Sequence, residues 1–212
     1  MLIKNILPAI LVGTIFFSSP FVHADSAKDY YNTGIVNVKQ GTFDVAIASF
    51  TKSIEMDPND ANAYYARGLV YATQEKDPLA IRDFTKAIEL NSSHAGAYAA
   101  RGRSYSKQSM FSESIQDFSK AVELNPRNVD AYRGRGLAYM QQNNPDLAIG
   151  DFNKDIELRA FDSDAYTNRA LAYYKLAAYD KAWMDTHKAE ELGATTDPDF
   201  LASLQKASGR EK

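Results

Sequence analysis

Four arginines recur at a fixed interval of 34 residues, Arg67, Arg101, Arg135 and Arg169, and an aspartate follows each by sixteen: Asp83, Asp117, Asp151 and Asp185. A guanidinium can take an anion from solution or grip a carboxylate of its own chain, and its planar fork favours the bidentate carboxylate. The pattern supports the second use. One interval earlier both partners are missing together, replaced by Thr33 and Ser49. A pair lost jointly reads as an internal bridge, so these arginines are expected to tie two segments of one unit together.

Other chemistry is scarce. There is no cysteine, which excludes thiolate catalysis, disulfides and cysteine-ligated metal sites. His94 and His187 stand 93 residues apart, each without a second histidine at helical ligand spacing, and are read as solvated or structural. Lys52, Lys86, Lys120, Lys154 and Lys188 each precede a glutamate by three residues, as expected of ion pairs on a solvated helix face. With 24 basic against 27 acidic residues and a formal charge of -3, nothing offers a field for nucleic acid. No phosphate loop or nucleophile elbow is present either. The expectation is a chain without enzymatic activity, cofactor or metal.

The elements that position these residues follow from the same period. Gly34, Gly68, Gly102 and Gly136 form one column, with Ala170 in the fifth slot; Tyr30, Tyr64, Tyr98, Tyr132 and Tyr166 form another. Ala46, Ala80, Ser114, Ala148 and Ala182 share a third, and Phe50, Phe84, Phe118 and Phe152 a fourth. A small residue in one helix facing a small one in the next lets two antiparallel helices approach closely, with Tyr and Phe filling the wedge on either side. Asp77-Pro78 and Asn144-Pro145 read as a capping side chain followed by proline at the first helical position, while Pro58 and Pro126 stop helices. Asp155 stands where neighbouring units have small residues and Ala160 replaces a terminal proline, so the second helix of that unit or its following loop is expected to be irregular.

In these columns the sequence resembles the tetratricopeptide repeat family over residues 27–196, and specifically its exported bacterial envelope members. The resemblance implies an all-α, right-handed superhelical solenoid of antiparallel helix pairs. Its units would span 27–60, 61–94, 95–128, 129–162 and 163–196, followed by a capping helix and tail over 197–212 in which Phe200, Leu201 and Leu204 share one face. It also implies an inner wall lined by the first helix of each unit. Transferred onto this chain, that wall gives a partner-binding groove of Tyr31, Ile35, Tyr65, Leu69, Arg103, Lys107, Arg133, Met140 and Tyr174. Tyrosine and arginine suit such a surface because they bury large area or make paired hydrogen bonds. The lysine–asparagine clamp of chaperone-docking members is missing: the corresponding pairs read Tyr31/Ile35, Tyr65/Leu69, Ala99/Arg103, Arg133/Leu137 and Thr167/Leu171.

The N-terminus places Lys4 before an apolar run from Ile6 to Phe17, then Val22-His23-Ala24 with small residues where a signal peptidase reads. Pro8 and Gly13 interrupt the run, which falls short of the roughly 20 residues of a membrane span. Residues 1–24 are therefore read as a signal peptide cleaved after Ala24, giving a periplasmic or secreted protein with no stable membrane anchor. An uncleaved anchor is the alternative. Asn91-Ser92-Ser93 is a glycosylation sequon only in a eukaryotic host. The function expected is a scaffold or adaptor that binds a protein or peptide in its groove; the alternative is an element that self-associates through its terminal units into a homo-oligomer.

Overall fold

The computed structural model describes residues 26–210, and the leader assigned to residues 1–24 lies outside them. The described residues form eleven helices and no strand: α1 (Ala27–Lys39), α2 (Phe43–Met56), α3 (Ala61–Thr73), α4 (Asp77–Leu90), α5 (Ala95–Lys107), α6 (Phe111–Leu124), α7 (Val129–Gln141), α8 (Pro145–Leu158), α9 (Ser163–Lys175), α10 (Tyr179–Glu191) and α11 (Pro198–Ser208). None of these is long and apolar enough to cross a membrane. Each helix packs on its neighbours in sequence. Successive odd-numbered helices from α1 to α9 also touch one another, whereas even-numbered ones make no comparable contact. The odd helices thus line the inner wall of a superhelical solenoid and the even ones its outer wall, as expected from sequence.

Two kinds of turn alternate. Within a pair the chain reverses through one left-handed residue, always at the same repeat position: Gly41, Glu75, Ser109, Asn143 and Ala177, with φ between 55° and 74°. The next amide then reaches back to a carbonyl of the first helix, as Ala178 N–H does to Tyr173 at 3.0 Å, which is how a left-handed cap satisfies otherwise orphaned carbonyls. Between pairs the chain enters the next helix through a side-chain cap. Asp60, His94, Asn128 and Asp162 occupy one column, and each accepts a first-turn amide N–H.

Asp77 and Asn144 do not cap, contrary to the sequence reading. Every even-numbered helix is entered with ψ near 60° at the cap residue and no side-chain cap bond. The tight left-handed turn sets that angle and carries the side chain away from the first-turn amides. Asp77 lies inside the first turn of α4, and Lys76 takes the cap position.

The packing columns meet with one change of partner. A Cβ on Gly34, Gly68 or Gly136 would sit 2.5–2.7 Å from the ring of Phe50, Phe84 or Phe152. These three glycines therefore make room for the phenylalanine ring itself, whereas a Cβ on Gly102 would first meet the Ser114 carbonyl at 3.2 Å. In the fifth pair both columns change together, to Ala170 and Thr186, and both residues are buried: a smaller side chain across from a larger one keeps the volume filled.

α11 closes the far end. Asp197 caps it and Gly209, at φ 70°, ends it. Leu204 is fully buried beside Trp183, whose indole N–H donates to Ser208 Oγ at 3.0 Å.

Candidate functional site

The arginines at 34-residue spacing are structural, and they do more than the sequence implied. Arg67, Arg101, Arg135 and Arg169 each make two hydrogen bonds of 2.7–2.9 Å to the aspartate sixteen residues on. The remaining arm of each guanidinium donates backward, to Thr51, Thr85, Ser119 or Asn153 on the second helix of the preceding unit. One side chain therefore joins its own helix pair and staples it to the one before. Tyrosines complete the arrangement: Arg67 lies over the rings of Tyr64 and Tyr71, and Arg169 over Tyr166 and Tyr173, at 5.6–6.0 Å. At the first unit, Thr33 and Ser49 instead bond back to carbonyls of their own helices. All five lysine–glutamate pairs form on the exposed face of the even helices.

Along the inner wall the candidate residues divide into three groups. Tyr31, Ile35 and Tyr65 are half-buried and committed to packing. Tyr31 tilts against Phe50 at 5.6 Å between ring centroids, with Ile35 in the same cluster. Tyr65 lies against both Phe84 and His94, at 5.9 and 4.5 Å. Burial pushes the Tyr65 hydroxyl's pKa up, and the neighbouring charge of Arg103 works the other way. His94, the α5 cap, accepts the Ala97 amide N–H on Nδ1 at 3.1 Å. Burial lowers its pKa below the ordinary 6.5, and its role is structural. Leu69 is 37% exposed and reaches the groove surface.

Arg133 differs from the groove cation expected. Its guanidinium binds Asp155 at 2.8 Å and also Asp162, with Asp164 at 3.7 Å. Burial opposes its charge, but the hydrogen bonds and charges of Asp155 and Asp162 outweigh that and raise its pKa. The same guanidinium holds the Asp162 carboxyl below its usual value against the opposing effect of burial, with help from Arg159. Asp155 is fully buried, and α8 runs uninterrupted from Pro145 to Leu158. The irregularity expected there is absent because the misplaced acid has a partner. Two departures in one unit, Arg133 and Asp155, form one ion pair across 22 residues, and their coincidence in one repeat was the signal available in the sequence.

The third group is mixed: Arg103 and Lys107 are open, whereas Met140 and Tyr174 are half-buried and pack on core clusters as Tyr31 and Tyr65 do. Arg103 and Lys107 are exposed and make no ion pair among the described residues. Arg103, Asp130, Arg133, Gly134 and Leu137 border a cavity of about 420 Å³. Beyond Leu137 lies a second cavity of about 500 Å³, where Met140 and Tyr174 are joined by Leu171 and Phe200. Phe200 is the residue that sequence reasoning missed as groove-lining. It was assigned to a cap, yet its ring meets Tyr174 edge-on at 5.6 Å and forms part of the wall. No group of three or more histidines and carboxylates among the described residues is arranged to hold a metal ion.

Stacked helix pairs with an open inner wall define a helical-repeat interaction scaffold. The comparisons agree. Family models described as TPR repeat and tetratricopeptide repeat match residues 34–75, 61–94 and 99–162, and the chain belongs to the tetratricopeptide repeat family, whose members are generally non-catalytic interaction modules. Among solved structures it is similar to MamA protein, at 26% identity and a TM-score of 0.74, covering 81% of this chain and 98% of that one. It shares its fold with PilF of Pseudomonas aeruginosa (23% identity, TM-score 0.74, 86% and 84% covered). YrrB, described as a TPR protein with an unusual peptide-binding site, also shares it (24% identity, TM-score 0.73, 86% and 92% covered). No match was found among curated proteins.

Proposed function

We propose that this chain is a non-catalytic adaptor of the bacterial cell envelope that holds a peptide segment of a partner protein in its concave groove. One observation carries the reading. An apolar cavity lined by Met140, Leu171, Tyr174 and Phe200 opens on the inner wall and shares Leu137 with a second cavity bordered by Arg103, which makes no ion pair among the described residues. Apolar surface left open next to an unpaired charge is the arrangement that marks a binding site on a soluble scaffold. The N-terminal end of the groove, with Tyr31, Ile35 and Tyr65, supplies shape more than contact, while Leu69, Lys107, Met140 and Tyr174 are the candidate contacts.

Export rests on the leader in residues 1–24. N-terminal sequencing of the protein recovered from the envelope should begin at Asp25; a chain still starting at Met1 in the membrane fraction would favour the uncleaved anchor. For groove binding, crosslinking in the native host is compared between the wild type and Arg103→Glu. Selective loss of a partner supports the adaptor, and an unchanged set removes this groove from consideration. Self-association through terminal units is the alternative, and the open end at α1 is where it would occur. α1 turns Asn32, Thr33 and the 50% exposed Val36 outward, where the corresponding residues of α3 are Ala66, Arg67 and Val70. The opposite end is covered by α11. Sedimentation at several concentrations should give a monomer.

A further inference from the structure

We infer that α11 is a hinged jaw of the groove: its C-terminal part is fixed to the last repeat, while its N-terminal part swings toward α9 and closes on an apolar side chain held in the cavity between them. The inference rests on the groove-binding function proposed above and adds how the groove shuts.

The sequence columns continue into α11, but the helix is not seated by them. Phe200 and Leu204 follow Tyr166 and Ala170 by 34 residues, the spacing of a sixth first helix. The connection differs. Earlier pairs are joined by four residues each, 57–60, 91–94, 125–128 and 159–162, whereas six residues, 192–197, lead into α11, with Gly193 in the left-handed region at φ 92°. α11 then crosses α9 instead of stacking on it: Phe200, in the first turn of α11, meets Tyr174, in the last turn of α9. The regular contact between successive odd helices, which runs from α1 to α9, stops there. The cavity of about 500 Å³ is the space this leaves, with Leu171 and Tyr174 on one side and Phe200 and Ser203 on the other.

Leu204 explains the crossing. In the first, second and fourth repeats, glycine at this column makes room for a phenylalanine of the second helix. No second helix packs on α11 among the described residues, and the leucine turns instead into a fully buried site beside Trp183. The other attachments lie on the same side: Ser208 accepts the Trp183 indole N–H at 3.0 Å, and Arg210 pairs with Asp180 at 2.9 Å. Ahead of Leu204, Pro198, Asp199, Ala202 and Ser203 are exposed, and Phe200 and Leu201 are half-buried. A helix fixed at one end and joined at the other by a longer, irregular connection turns about its fixed end, as lids do when they close on ligands. Closing carries Phe200 and Ser203 across the cavity and buries apolar wall now open to water, so a ligand side chain that fills the remaining volume favours the closed form.

The chain has no cysteine, so labels go only where they are placed. Protein purified from cells expressing all 212 residues carries spin labels at Gln141→Cys and Ser203→Cys, exposed positions of α7 and α11 that border the cavity. The probe is anilinonaphthalene sulfonate. Pulsed EPR should give two distance populations in the free protein, and saturating probe should move the ensemble to the shorter one. Leu137→Glu, on the cavity wall and 42% exposed, should weaken the probe at least about tenfold. In a second variant, Asn168→Cys with Ser203→Cys, oxidation should form a disulfide that holds the jaw shut and weakens the probe at least about tenfold, with recovery on reduction as proof that the variant is folded. A single distance population unmoved by bound probe, a cysteine pair that stays reduced under oxidant, or a disulfide that leaves probe affinity unchanged would overturn the jaw and leave groove binding intact. Probe affinity indifferent to Leu137→Glu would overturn the groove reading and this inference with it.

Discussion

Arg103 and Arg133 lie on neighbouring helices of the same inner wall and border the same cavity, yet one is free and the other is locked. Arg133 is gripped by a fully buried Asp155 and by Asp162, whereas Arg103 is exposed without an ion partner among the described residues. The repeat grammar explains the difference. A guanidinium becomes structural here whenever the facing column supplies an acid, as it does for all four arginines of the 34-residue ladder and, out of register, for Arg133. At the equivalent position of the preceding unit the pair is Ala99 and Ala121, packed together; Arg103 stands in another column, shared with Leu69 and Leu137, where no acid pairs with it among the described residues. Position on the inner wall does not by itself make a residue a contact.

The comparison predicts opposite responses to loss of charge. Asp155→Ala removes a buried partner and should cost about 3 kcal/mol, read as a lower urea midpoint, while Arg103→Ala should stay within about 0.5 kcal/mol. Equal costs would erase the distinction between the two arginines. The ladder offers a second test. Asp117→Ser alone strands Arg101 and should destabilise by about 2 kcal/mol or more; adding Arg101→Thr, which copies the natural Thr33 and Ser49 of the first unit, should return part of that loss. A double variant less stable than the single one would show that the tyrosine stacking, not the acid, holds the arginine.

Smaller effects probe the caps. His94 accepts an amide hydrogen bond and is therefore neutral in the fold, with its pKa depressed by burial below 6.5. The unfolded chain takes up a proton first, so the stability His94 contributes is complete above pH 6.5 and is lost as pH falls through the depressed folded value. His94→Asn, the residue at this column in the next unit, should keep the cap and flatten that decline below neutral pH. A decline unchanged in the variant would place the titration elsewhere. Finally, Ala177 adopts φ 55° at the position where the first unit has Gly41. Ala177→Gly should raise the melting midpoint by the equivalent of about 0.5–1 kcal/mol, and no gain would mean that the left-handed turn carries little strain.

Much of the fold was legible because the repeat prints its contacts at a constant spacing. The Arg–Asp bridge needed only the number sixteen, and the helix pairs only the Gly, Tyr and Phe columns. What escaped was whatever broke the spacing. Arg133 and Asp155 meet across 22 residues, off the register that revealed the ladder, so Asp155 looked like an isolated departure and Arg133 like a groove cation. Phe200 follows the last repeat and has no column to assign it to the groove; only the docking angle of α11 brings it against Tyr174. Asp77 and Asn144 were read as caps from residue type and the proline that follows, although Asp77 falls inside the first turn of α4 and Asn144, entered from the left-handed turn, makes no cap bond. Tyr31 and Tyr65 were placed on the inner wall by position, and how far their rings sink toward Phe50 and Phe84 depends on the glycines across from those rings.

The central claim is that ligand contact is concentrated where α7, α9 and α11 enclose the apolar cavity beside Arg103. Hydrogen exchange of the purified chain, with and without its crosslink-identified partner, tests it most directly. Added protection should appear at Leu137–Gln141, at Leu171–Lys175 and through α11, with the even-numbered helices unchanged. Protection confined to the even-numbered helices or to α1 would contradict the account and place the partner on the outer face or at the open end.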